Sequence, residues 1–163
     1  YNLKYLLNKI LIFLIIISFF YYLFNFFGLT PYHYTYLNKF NGNFSDSSSR
    51  FENDYWGVSI KELVNKIEKN EILKENKNYK IAFCGINYDI GAYYLEKINN
   101  LTFIETSKDE IYDYIIMTNR LNGKDNDKIS EVKTCFDSYG DKDILSVKRN
   151  GLILSRIRQN KGS

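Results

Sequence analysis

Residues 10–29 read ILIFLIIISFFYYLFNFFGL, twenty consecutive positions without a formal charge. In a helix rising about 1.5 Å per residue they extend roughly 30 Å, the hydrocarbon thickness of a bilayer. Ser18, Asn25 and Gly28 interrupt the apolar run. A serine hydroxyl can return to a carbonyl one turn back, and Asn25 lies near the end, where an amide reaches the headgroup region. Tyr21, Tyr22, Tyr32, Tyr34 and Tyr36 surround the exit as an interfacial aromatic belt does. Lys4 and Lys9 precede the run and the next cation is Lys39, so the positive-inside bias places the N-terminal side in the cytoplasm. A cleaved signal peptide or a buried soluble helix is the competing reading, but a signal's apolar core is shorter and ends at a small-residue cleavage site. Phe27-Gly28-Leu29-Thr30 is bulky where small residues are needed.

The sequence therefore predicts an α/β protein with one N-terminal transmembrane helix (residues 1–30), an exit segment and loop (31–58), and a small extracytoplasmic α/β domain (59–163) with a mixed sheet and a C-terminal hairpin. A first residue of Tyr1 rather than Met is expected of a piece of a longer chain. Residues 31–160 can support one modest core and not two ordinary domains. With 22 basic and 19 acidic residues the net charge is +3, and the cations are scattered among acids. That pattern carries no nucleic-acid footprint. The basic stretch Lys148, Arg149, Arg156, Arg158, Lys161 reads as a solvated hairpin surface rather than a phosphate- or lipid-binding patch.

The soluble part opens on turn composition at residues 41–49. Ser59-Ile60-Lys61-Glu62 then has the spacing of a capping box, with Val58 and Leu63 placed as a hydrophobic staple. Ile60, Leu63, Val64 and Ile67 recur at helical spacing as far as Lys69. Residues 79–84 read as a core strand running into Gly85. Residues 89–98 read as a helix with Ile90, Tyr93, Tyr94 and Ile98 on its face. Residues 101–104 and 111–118 read as two further strands, and 122–127 as a polar loop. Asn150-Gly151 between two alternating runs is a type I′ hairpin signal.

Chemistry-bearing patterns are few. Gly85 and Gly91 match no nucleotide or dinucleotide fingerprint, and no cofactor is expected. His33 is the sole histidine, and no metal-ligand spacing occurs, so a metal site is not expected either. Cys84 and Cys135 fit neither a metal nor a redox motif. Cys84 sits in an apolar strand pattern, where a buried thiol is the expectation, although a disulfide between the pair is permitted outside the cytoplasm. Asn43-Phe44-Ser45 and Asn100-Leu101-Thr102 fit the glycosylation sequon, which matters only in a eukaryotic secretory setting. Arg50, Glu52, Asp54, Tyr55 and the sole tryptophan, Trp56, form the densest polar–aromatic cluster. It reads either as a helix anchor, with Asp54 or Glu52 accepting backbone amides, or as a saccharide or headgroup contact with an aromatic platform. Tyr32, His33 and Tyr36 are interfacial candidates.

Pro31-Tyr32-His33-Tyr34-Thr35-Tyr36-Leu37-Asn38, Gly42 and Phe51-Glu52-Asn53-Asp54-Tyr55-Trp56-Gly57-Val58-Ser59-Ile60-Lys61-Glu62 together carry a resemblance. The chain resembles the region after the last transmembrane helix of multi-spanning bacterial glycosyltransferases of the GT-C superfamily, relatives of the dolichyl-phosphate-mannose–protein mannosyltransferases. Asp113-Tyr114, Arg120 and the hairpin at 146–157 extend the likeness over nearly the whole chain. Thr30 before the proline and the Ser-rich loop before Arg50 depart from the family pattern. In that family the catalytic carboxylate lies in the first extracytoplasmic loop, and the polyprenyl-phosphate sugar binds among several membrane helices. The resemblance thus implies a non-catalytic C-terminal segment, anchored in a bacterial inner membrane with residues 31–163 outside the cytoplasm. Its implied partners are the bilayer, the parent's N-terminal transmembrane region, and a polyprenyl-linked sugar or envelope acceptor. The alternative is a single-span anchored domain that binds an envelope protein through a sheet edge and catalyses nothing.

Overall fold

The computed structural model describes residues 3–33, 54, 56–73, 77–120, 133–140 and 142–160. The chain divides into two compact units, Tyr1–Tyr36 and Leu37–Ser163.

The first unit is built on one helix, α1 (Leu3–Leu29), of 27 residues. It begins ahead of the uncharged run and takes Lys4 and Lys9 into its first turns. Asn25 is accommodated locally, its side-chain amide donating to the Tyr21 carbonyl at 2.7 Å. By length and composition α1 is able to cross a membrane, as an anchor or as a signal sequence.

The second unit contains α2 (Ile60–Lys69), β1 (Asn78–Cys84), α3 (Tyr88–Leu95), β2 (Thr102–Glu105), β3 (Tyr114–Thr118), α4 (Cys135–Ser138), β4 (Lys142–Arg149) and β5 (Leu152–Gln159). The strands form one mixed sheet in the order β2-β1-β3-β5-β4. β1 runs parallel to β2 and β3, whereas β5 is antiparallel to β3 and β4. Alternation along the strands sends two residue sets to opposite faces. Ala82, Cys84, Ile115 and Met117 meet Cys135 and Phe136 of α4. Ile81, Ile116 and Ile157, all fully buried, point the other way, toward the layer formed by α2 and α3. α2 buries Ile60, Leu63, Val64 and Ile67, each contributing about 1.5–3 kcal/mol by leaving water. The Asn150-Gly151 turn has φ +48° and +82°, the left-handed pair that a type I′ hairpin requires.

Several sequence expectations are corrected. The face of α3 is formed by Gly91, Ala92 and Leu95, continuing to Ile98, while Tyr93 is 56 % exposed. Small residues win because α3 lies close to the sheet: a Cβ on Gly91 would stand 2.2 Å from the Phe83 ring. The strand expected at 111–118 starts only at Tyr114. Asp113 intercepts it, accepting the Lys80 amide on its carboxylate at 2.8 Å and donating its own amide to the Lys80 carbonyl at 2.9 Å. The cysteines are not thiols but a disulfide, Cys84–Cys135, that joins the end of β1 to α4. Disulfides persist in oxidising compartments, which favours an extracytoplasmic location for this unit.

Lys148 of the C-terminal hairpin is exposed as expected, but its arginines are not simply solvated. Arg156 and Arg158 both hydrogen-bond Asp143, Arg156 at 3.1 and 3.3 Å. Arg158 also donates to the carbonyls of Phe136 and Tyr139, closing the end of α4. Arg149 reaches across to Glu62 of α2 with a two-pronged contact of 2.6 and 3.3 Å. Lys161 and the loop at 122–127 lie outside the described residues.

Candidate functional site

Asp54 and Gly57 are joined by a turn, and the Asp54 and Trp56 side chains divide between inside and outside. The Gly57 amide donates to the Asp54 carbonyl at 3.0 Å, and the Ile60 amide to the Gly57 carbonyl at 3.1 Å. Gly57 adopts φ +65°, and a Cβ there would lie 3.0 Å from Cγ2 of Ile86. Asp54, 1 % exposed, accepts the amides of Val58 at 2.9 Å and Ser59 at 3.0 Å, one on each carboxylate oxygen. The Ser59 hydroxyl donates to the same carboxylate.

The expected capping box is therefore corrected. Ser59 has helical dihedrals and makes no side-chain cap to α2. Asp54 instead holds the two amides that lead into α2, those of Val58 and Ser59, and its negative charge suits the positive end of the helix dipole. Glu62, freed from capping, pairs with Arg149 and with Lys66 at 3.2 Å. Val58, the outer member of the expected staple, is half exposed. A capping box does occur elsewhere, at Thr134-Cys135-Phe136-Asp137. There the Thr134 amide and hydroxyl both donate to the Asp137 carboxylate, at 3.1 and 2.6 Å.

With Asp54 and Ser59 turned inward, Trp56 is left 72 % exposed and Val58 50 % exposed. The Gly57–Ile86 contact seats this turn against the loop that leads from β1 into α3. That loop marks the carboxyl edge of the parallel strands. Here the strand order reverses, with β2 on one side of β1 and β3 on the other, a topological switch point where open α/β sheets commonly bind ligands. Thr118, at the end of β3, donates its hydroxyl to the Gly85 carbonyl at 2.8 Å and ties the two strand ends together. Asn87 caps α3, its side chain accepting the Asp89 amide at 3.1 Å. Arg120 leaves β3 at the same edge, its carbonyl accepting the Cys135 amide at 2.8 Å.

α3 also carries an aromatic and cationic surface, and it includes Tyr93, which the spacing places on the helix's packed face. Tyr88 is 37 % exposed and packs edge-on against Phe83. Lys97 Nζ lies 3.9 Å from the Tyr93 ring centroid. A hydrogen bond from Lys97, aided by its charge and by that of Lys61, holds the Tyr93 phenol below its ordinary pKa. The signal available in the sequence was the small pair Gly91-Ala92, which marks the inner face and so turns Tyr93 outward.

Of the other candidates, Tyr32 is buried. The His33 ring stacks on Phe26 with centroids 3.8 Å apart, and its Nε2 lies 3.1 Å from the Thr30 hydroxyl. Arg50, Glu52, Tyr55 and Tyr36 lie outside the described residues. Among the described residues, no group of three or more histidine, cysteine or acidic side chains is placed to hold a metal ion. The structure thus brings Asp54 and Trp56 into one turn but gives them opposite environments. No protein family, characterised protein or solved structure matches the chain.

Proposed function

We propose that this chain is the membrane-anchored, non-catalytic C-terminal segment of an integral membrane glycosyltransferase that takes sugar from a polyprenyl-phosphate donor. In this reading α1 is the last membrane span and the second unit stands outside the cytoplasm. The observation that carries it is the Asp-Tyr-Trp-Gly turn. The element most specific to the resembled family is here a rigid device: the acid is consumed in holding the backbone, and the indole is held out to its surroundings. Two physical arguments support the same reading. A lone apolar helix cannot enclose a polar donor site within hydrocarbon, so sugar transfer needs further membrane helices. The Cys84–Cys135 disulfide suits an oxidising compartment.

The test begins with the genomic reading frame. Upstream sequence is expected to hold several more hydrophobic spans and an acidic residue in the first outer loop. Purified residues 1–163 are expected to transfer no sugar from a polyprenyl-phosphate donor, while the whole parent does. A start codon directly before Tyr1, or transfer by residues 1–163 alone, would overturn the proposal. The first of these outcomes would favour the single-span envelope-binding domain.

A further inference from the structure

We infer that the exposed patch headed by Trp56 seats in the headgroup region of the bilayer that α1 enters, giving the second unit a second, non-covalent hold on the membrane. The inference rests on reading α1 as an anchor and goes beyond it, because an anchored domain need not touch lipid.

The chemistry of the patch fits this occupant. Trp56 and Val58 are 72 % and 50 % exposed, and Tyr93 is 56 % exposed. An indole has a large apolar body and one N–H donor, so it is best placed where hydrocarbon meets water. The same unit also exposes a phenol and ammonium groups, Tyr93 with Lys97 and Lys61, the side-chain types that gather at membrane interfaces. The indole is also carried on a prepared backbone. Asp54 fixes the Val58 and Ser59 amides, and Gly57 is wedged against Ile86, so little backbone order remains to be gained on contact.

Chain connectivity supplies the reason that lipid is the partner. Residues 31–53 join Thr30 to Asp54. Fully extended, such a connection spans at most about 80 Å. An anchored α1 therefore keeps the patch at high effective concentration beside one surface, and a weak affinity suffices for lasting contact.

Trp56 is the only tryptophan, so indole emission from the full chain reports this position alone. The full chain is reconstituted into phosphatidylcholine vesicles brominated either near the headgroup or near the acyl-chain ends, and insertion is read separately by flotation with the vesicles. The expected result is emission shifted to the blue, with quenching about twofold stronger by the shallow bromines than by the deep ones. A chain that floats but keeps water-like, unquenched emission overturns the inference and leaves the anchor standing. Blue-shifted emission that neither bromine quenches also overturns it, because protein rather than lipid then covers Trp56. A chain that fails to float overturns the anchor, and the inference with it.

Discussion

Replacing Asp54 with alanine is the most informative perturbation of the second unit. Among the bonds that the carboxylate accepts are those from the amides of Val58 and Ser59 and from the Ser59 hydroxyl. Val58 is half exposed, so water can replace the lost partner of its amide. Ser59 is fully buried, so its amide and hydroxyl would both be stranded. Each stranded polar group costs about 1–3 kcal/mol, which puts Asp54→Ala near 4 kcal/mol, a large part of a typical domain's stability. Asp54→Asn keeps one acceptor oxygen and costs about 1–2 kcal/mol. Ser59→Ala removes a single bond and costs about 1 kcal/mol, but nearly nothing once Asp54 is already alanine, because the hydroxyl then has no carboxylate to lose. Urea unfolding of the full chain in detergent micelles, read by hydrogen exchange of the β3 and β5 amides, measures all four combinations. A cost for Asp54→Ala below about 1 kcal/mol, or additive Ser59 and Asp54 effects, would refute the assignment of Asp54 as the buried acceptor of these bonds.

Burial pushes the Asp143 carboxyl up, but the hydrogen bond from Arg158 and the charges of Arg156 and Arg158 outweigh it and hold the pKa below its ordinary value. A pKa depressed in the folded state stabilises above the unfolded value, about 3.9, and the gain is lost as pH falls through the folded value. Asp143→Asn is therefore expected to lower stability at pH 7 and flatten the acid limb of an unfolding-against-pH curve, an effect that salt reduces because this side chain is half exposed. The Cys84–Cys135 link closes a separation of 51 residues. Chain entropy puts its contribution at about 4 kcal/mol. Replacing both cysteines with alanine should lower the urea midpoint accordingly, and the unreduced wild type should take up no maleimide until it is unfolded and reduced.

The order of the elements other than α4, a single turn that the sequence reading missed, was legible because each rests on a local pattern. The uncharged run gives α1, the alternating apolar segments give the strands, and Asn150-Gly151 gives the hairpin. The misreadings share one physical cause, which is that a partner outside the local pattern outcompetes the one within it. Ser59 has capping spacing, yet Asp54 reaches the amides first and leaves Glu62 to Arg149, a residue of β4. Tyr93 has core spacing, but Gly91 and Ala92 allow a closer approach to Phe83 than an aromatic face would. Arg156 and Arg158 look like solvent-facing cations until Asp143 and the end of α4 are brought beside them. The disulfide was unreadable because only the fold brings residues 84 and 135 within a Cα separation of 5.8 Å. Within the candidate site, the aromatic turn could be found from composition, but the split between a buried Asp54 and an exposed Trp56 depends on backbone dihedrals that composition does not encode.

The most direct test of an anchored domain outside the cytoplasm is labelling of intact cells with a membrane-impermeant maleimide. Single cysteines are introduced at Lys4, before the uncharged run, and at Glu105, an exposed end of β2, with the native disulfide left oxidised. Labelling at position 105 without permeabilisation, and at position 4 only after it, is the expected result. Labelling at position 4 with protection at position 105 would invert the topology and contradict an extracytoplasmic domain.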